Sequence, residues 1–261
     1  VTPLSTLFAS IEHHGEECHV HIPPDWQQGR TTYGGLTAAL CVEAAHRTVP
    51  HLPPLRSAQF TFAGPAGGDV RMATTILRRG KSTVFVSVDL TGSHGLATHA
   101  TLSFAAQRHT TQTYRNLPMP PVPTPEQCGE FFGTHGPTFS QHFDYRNAGG
   151  AMPMSGTKNP EYLIWLRHRD ENAGTGAAAL VALADAPPPA AMAMFAASAP
   201  ISTMTWSLDL FDAHESGAAP WRLIRSTADL VDHGYSSQAM ALWTAQGEPL
   251  LIARQNVAIF Q

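Results

Sequence analysis

The chain has 261 residues, 43% of them hydrophobic and 14% charged, with a formal net charge of −4. That is enough apolar material for one large core or two smaller fused ones. The mild acidity and the lack of a long Lys/Arg cluster exclude a surface built to track nucleic-acid phosphates, and no apolar run approaches the roughly 18–20 residues of a membrane span.

The first residues, Val1-Thr2-Pro3-Leu4, show no basic stretch followed by an apolar one, so no signal peptide is read and a cytoplasmic location is expected. Cys18, Cys41 and Cys128 are odd in number and scattered, which fits a reducing compartment. Residues 8–22 read as extended, carrying Cys18, His19 and His21, until Pro23-Pro24. Gly34-Gly35 then opens a helix to about Val49, on which Leu36, Leu40 and Glu43 share one face. Pro50, Pro53 and Pro54 end it. Strands are predicted at 56–63, 69–79, 82–91 and 96–106; the clearest alternates Val84, Val86, Val88 and Leu90 with Phe85, Ser87 and Asp89.

Pro118, Pro120, Pro121, Pro123 and Pro125 crowd the stretch 115–126, a composition that holds no regular structure. It is read as a surface linker, 113–126, between an N-terminal unit (1–112) and a C-terminal unit (127–261). The second unit begins with extended segments near 139–145 and 161–169. Its helix, Gly176 to Ala186, is apolar on nearly every side, and such a helix is normally buried. Asp185 is its only ionisable residue. Pro187-Pro188-Pro189 stops it, and strands are predicted at 201–211, 221–233, 236–246 and 249–260.

The two units follow one plan. Gly34 precedes Glu43 by nine residues and Gly176 precedes Asp185 by nine; Gly80-Lys81-Ser82 matches Gly234-Tyr235-Ser236 as a turn into a strand. The last strands end in His99-x4-Phe104 and Gln255-x4-Phe260. A helix followed by antiparallel strands, written twice, predicts an α+β fold built by duplication.

Four segments carry a family resemblance: Gly29-Arg-Thr-Thr-Tyr-Gly-Gly35, Leu77-Arg-Arg-Gly-Lys-Ser82, Leu183-Ala-Asp-Ala-Pro-Pro188 and Arg254-Gln-Asn-Val-Ala-Ile-Phe260. In order and spacing they resemble the double-hotdog acyl-CoA thioesterases of the thioesterase II type, over nearly the whole chain except the linker. The resemblance implies two hotdog units, each a curved antiparallel sheet around a central helix, joined edge to edge. It also implies acyl-CoA as substrate, no cofactor, and at least a homodimer formed by sheets packed back to back. The family's catalytic Asp, Thr and Gln fall on Asp185, Thr203 and Gln255.

The residues themselves support this unevenly. Desolvation in an apolar helix raises the pKa of Asp185 unless donors surround it, which suits a base for water; the alternative is a helix-end acid pointing to solvent. Gln255 shares its strand face with Leu251, Ala253, Val257 and Ile259, so a buried amide there needs partners, catalytic or structural. Strict alternation puts Met204, Trp206, Leu208 and Leu210 on the apolar face and Thr203 on the other, which leaves Ser202 as a substitute. Backbone N–H groups at helix N-termini, at Gly34-Gly35 and at Gly174-x-Gly176, are the places to polarise a thioester carbonyl. Glu43 is read as a vestigial or secondary acid.

Competing motifs fail. There is no G-x-S-x-G serine elbow, no glycine five residues before Gly80 to complete a P-loop, and no H-E-x-x-H. Cys18-x2-His21 lacks a second pair at zinc spacing, so no metal is expected, and His13-His14 read as surface residues. Arg78, Arg79 and Lys81 could meet coenzyme A phosphates, or form a solvated turn. Beside the thioesterase reading stands an inert hotdog that binds acyl chains or a partner, and behind it a hotdog hydratase or dehydratase, for which no suitable Asp/His pair is found.

Overall fold

In a computed structural model that describes residues 1–132, 136–211 and 220–260, the chain starts with a short helix and not with a strand. Helix α1 (Leu4–Ala9) buries Leu4 and Leu7 on one side, three residues apart as a helical face requires. The expected extended stretch therefore shortens to a hairpin, β1 (Glu12–His14) and β2 (Glu17–Ile22), turning at Gly15 with φ +67°. A second small hairpin, β3 (Gln27–Gln28) and β4 (Thr31–Thr32), turns at Gly29 and delivers the chain to α2 (Gly34–Thr48). Four strands follow: β5 (Leu55–Phe62), β6 (Gly68–Arg79), β7 (Thr83–Gly92) and β8 (Gly95–Ala105).

The second half repeats the scheme. Strands β9 (Phe143–Gly150) and β10 (Glu161–His168) precede α3 (Ala177–Ala184), a 3₁₀ turn at Ala190–Met194, and then β11 (Ile201–Leu210), β12 (Arg222–Asp232), β13 (Tyr235–Thr244) and β14 (Pro249–Ile259). Val181 and Leu183 of α3 are fully buried, as its all-round apolarity requires. Each such side chain contributes about 1.5–3 kcal/mol by leaving water.

One antiparallel sheet of twelve described strands, in the order β1-β2-β6-β7-β8-β5-β11-β14-β13-β12-β10-β9, runs through both halves. The seam is β5 against β11, where Phe60 pairs with Trp206 and Thr61 with Thr205. Helix α2 packs on β2, β6, β7 and β8, α3 packs on β10, and the two helices pack on each other. Trp26 stacks on His142 with ring centroids 3.5 Å apart, and the Ser5 backbone N–H donates to Asp170 Oδ2 over 2.7 Å, so the N-terminal segment is tied to the second half.

The proline-rich stretch has no helix or strand from 106 to 124, yet it is not merely draped over the surface. Trp165, Leu223 and Trp243 form a row across β10, β12 and β13 on the face away from the main core, and Leu117, Met119 and Val122 cover it. The two indoles donate to carbonyls of that stretch, Trp165 Nε1 to Pro123 O over 2.8 Å and Trp243 Nε1 to Leu117 O over 2.9 Å. Prolines suit this role because the chain must stay extended and offer carbonyls without competing donors.

Candidate active site

The candidate site lies where the end of α3 meets the beginning of α2. Both helices leave backbone groups unpaired at these ends: carbonyls on α3, N–H groups on α2. Tyr33, immediately before α2, donates its phenol to Ala182 O of α3 over 2.7 Å, and Tyr145 of β9 donates to Ala186 O over 3.4 Å. The glycine pair permits this approach. A Cβ on Gly35 would collide with the Tyr33 phenol, and one on Gly34 would lie 3.1 Å from Asp185 Oδ2 and 3.4 Å from the Phe62 ring.

Asp185 is the C-cap of α3, where a helix disfavours negative charge. The N-terminus of α2 offsets this, because the Gly35 backbone N–H donates to the Asp185 carboxylate. Gln255 Nε2 donates to Asp185 Oδ1. Burial outweighs both donors and pushes the Asp185 pKa up to about 7. The same burial, with the charge of Asp185 adding to it, holds the Tyr33 and Tyr145 phenols protonated far above the usual tyrosine range.

Gln255 is itself held. Its Oε1 accepts from Gln238 Nε2, and Gln238 Oε1 accepts from the Ala190 backbone N–H over 2.9 Å. The register explains the meeting. Phe60, Trp206, Gln255 and Gln238 are cross-strand partners in one row over β5, β11, β14 and β13, and directly opposed residues share a face. Gln238 escaped the sequence reading. Its signal was there, since it alternates with the buried Ser236, Met240 and Leu242 just as Gln255 alternates with Leu251, Ala253 and Val257.

Thr203 stands on this face as well, against strict alternation. A bulge between Thr203 and Thr205 shifts the register of β11: Trp206 pairs with Gln255 beyond it, and Thr203 pairs with Val257 before it. The extra residue inverts the in/out parity, so odd-numbered Thr203 joins even-numbered Trp206 on the inner face. Ser202 is exposed and opposite Ala258, on the other face from Gln255. The hydroxyl on the Gln255 side is therefore that of Thr203.

Two other expected residues lie apart from Asp185. Gly176 caps the far end of α3, nine residues away and hence roughly 13 Å along the helix. It is exposed, and its carbonyl accepts from the Leu180 N–H as an ordinary first turn. Glu43 lies inside α2 and binds Arg47 Nε over 2.9 Å; Arg47 in turn donates to Phe8 O over 2.9 Å and to Ile11 O over 3.4 Å. Glu43 thus orients Arg47, which ties the end of α1 and Ile11 to α2. Arg78, Arg79 and Lys81 are exposed around the β6–β7 turn.

A cavity of about 360 Å³ is lined by Phe132, Gln141, Tyr145, Arg146 and Arg169 among others, and a groove of about 620 Å³ by His19, His21, Asp69 and Arg71 among others. Neither is lined by Asp185, Thr203 or Gln255; Tyr145 lines the smaller one and also faces the acid. Among the described residues no group of three or more His, Cys, Asp or Glu side chains could hold a metal ion, and no helix is long and apolar enough to cross a membrane.

Two antiparallel half-sheets, each with a helix packed against it and joined at β5 and β11, make this a double hotdog. Solved structures share the whole architecture. A hot dog fold protein of unknown function from Alicyclobacillus acidocaldarius superposes with a TM-score of 0.90 at 22% identity, covering 100% of this chain and 99% of its own. A putative thioesterase II from Thermobifida fusca gives 0.83 at 21% identity, covering 100% and 98%, and acyl-CoA thioesterase II TesB2 from Mycobacterium marinum 0.77 at 16%, covering 98% of each. No curated protein sequence matches the chain. Residues 22–105 match the family model of the acyl-CoA thioesterase N-terminal domain, and residues 116–259 that of the C-terminal domain. The chain belongs to the acyl-CoA thioesterase family.

Proposed function

We propose that this protein hydrolyses acyl-CoA to the free acid and coenzyme A, using a water activated by Asp185 and positioned by Thr203 and Gln255. The observation that carries the reading is the pairing of Asp185 with Gln255: a desolvated carboxylate whose proton affinity lies near neutrality, held in one orientation by a buried amide. A general base is most effective when its pKa is near the working pH.

The steps balance without a cofactor. The water oxygen bonds to the thioester carbonyl carbon while Asp185 takes one of its protons. The C–S bond then breaks, the electron pair leaves on sulfur, and the proton returns to the coenzyme A thiolate. Thioester carbonyls are electrophilic enough that an oriented water suffices, with no covalent enzyme intermediate. The positive end of α2 faces the oxyanion, and the missing side chain of Gly34 leaves room beside Asp185 Oδ2.

Homo-oligomer formation is part of the same proposal. Ile76, Leu77, Leu230 and Ile252 are exposed strand residues that a second copy would cover. The activity is tested by incubating purified protein with acyl-CoAs of graded chain length and following thiol release. Turnover of at least one chain length supports the reading; binding of acyl-CoA without thiol release would leave a non-catalytic hotdog in its place.

A further inference from the structure

Gln238 lies one strand away from the Asp185–Gln255 pair, fully buried, and its two polar atoms are both engaged toward that pair or toward the backbone. Amides are ambiguous neighbours. A glutamine can turn either its oxygen or its nitrogen toward a carboxylate, and only the nitrogen stabilises it. What fixes the sense here is the far end of the chain of bonds. The Ala190 backbone N–H can only donate, so the Gln238 oxygen faces it over 2.9 Å. The Gln238 nitrogen then faces the Gln255 oxygen, and the Gln255 nitrogen faces Asp185.

We infer that Gln238 is a positioning residue, which sets the orientation of the Gln255 amide and thereby holds Asp185 in its proton-accepting form. The inference rests on the proposed hydrolysis for its kinetic readout, but not for its structural one. Gln238 does not reach the water or the thioester; it acts through Gln255. Its other neighbour of note is Met240 Sδ at 3.9 Å, a weak acceptor that cannot replace the Gln255 carbonyl. Among the described residues, titratable groups facing Asp185 include the phenols of Tyr33, just before α2, and Tyr145 of β9, both kept protonated by burial, which at Tyr145 outweighs the opposing charge of Arg169.

Two variants test this. Gln238→Met keeps the length and apolar body but removes the donor, so Gln255 loses its fixed sense; kcat should fall about tenfold or more with KM changed less than about twofold. Gln238→Glu places carboxyl groups at both ends of one amide, whose nitrogen can serve only one of them. Asp185 then gives up its proton later, and the acid limb of kcat against pH moves up by about one unit or more. The charge added in Gln238→Glu repels Asp185 in any case, so the limb in the neutral Gln238→Met discriminates: there a glutamine that merely fills space would lower the melting temperature and leave the limb where it was, whereas the relay moves it up.

The Asp185 carboxyl can also be titrated directly in ¹³C-aspartate-labelled protein, its resonance assigned by its loss in Asp185→Asn. An upward shift of that titration in the neutral Gln238→Met supports the relay even if no acyl-CoA is hydrolysed, which would sink only the proposed activity. An unmoved Asp185 titration in Gln238→Met, or wild-type kcat in that variant, overturns the inference.

Discussion

Gly35, the second residue of α2, gives its backbone N–H to Asp185, the residue that ends α3. The acid thus belongs by sequence to the second hotdog and takes a donor from each, Gly35 N–H from the first and Gln255 from the second. The glycine is needed because the Tyr33 phenol occupies the space of its side chain while reaching Ala182 O. Gly35→Ala is expected to push the two helices apart, costing about 1–3 kcal/mol as overpacking does. Tyr33→Phe should cost roughly 1–3 kcal/mol through the unpaired Ala182 carbonyl. Chemical denaturation of both variants checks this, and a Gly35→Ala protein as stable as wild type would count against the tight approach.

The raised pKa of Asp185 also sets a pH dependence of stability. Its folded value is about 7 against 3.8 for the free side chain, so between these limits the folded state binds more protons than the unfolded one. Stability from this group is therefore full below about 3.8 and lost as pH rises to about 7. Asp185→Asn removes the titration. Relative to wild type it should gain stability over that window, by at most roughly 4 kcal/mol at about 1.4 kcal/mol per unit. Melting temperatures of both proteins from pH 4 to 8 give the comparison; a constant difference would mean that Asp185 is not desolvated.

The register of β11 separates two neighbouring hydroxyls. Thr203→Ala should lower kcat by about tenfold to a hundredfold, because the water loses one of its holds. Ser202→Ala, on the outer face, should change kcat by less than about twofold, as surface substitutions do. Steady-state kinetics on the two variants decides, and the reverse order would place the bulge elsewhere.

Glu43 should matter for folding and not for turnover. Glu43→Gln frees Arg47 from its carboxylate, and the pair is only partly exposed, with side chains 22% and 30% accessible. An i,i+4 pair of this kind contributes about 0.3–0.5 kcal/mol. A melting point lowered by a degree or two with unchanged kcat is expected; loss of hydrolysis would move the active site to the first hotdog.

How much of this the sequence disclosed depended on how far each signal was from a break in regularity. Asp185 stood out because a single acid in an apolar helix has few explanations, and Gln255 because an amide among Leu251, Ala253 and Val257 has an inward address. Thr203 was assigned by family resemblance while its own alternation argued against it. The bulge that reconciles the two is one extra residue, invisible to a period-two count. Gly176 lies apart from Asp185 for a related reason: the two helices share a nine-residue Gly-to-acid spacing, but Asp185 ends α3 while Gly34 begins α2. The strands β5 to β8 and β10 to β14, regular and bounded by Gly and Pro, lie within a residue or two of expectation; β9 begins at Phe143, after a 3₁₀ turn at Thr138–His142, and Phe8 and Ala9, which end the uncapped α1, fall in the stretch read as extended.

In the proposed hydrolysis Asp185 takes the proton from water. Asp185→Asn keeps the size of the side chain and removes that capacity, so the direct measurement is thiol release from a good acyl-CoA substrate by folded wild-type and Asp185→Asn protein. A fall in kcat of on the order of 10² to 10⁴ with KM little changed is expected. Near-wild-type turnover by Asp185→Asn would contradict it.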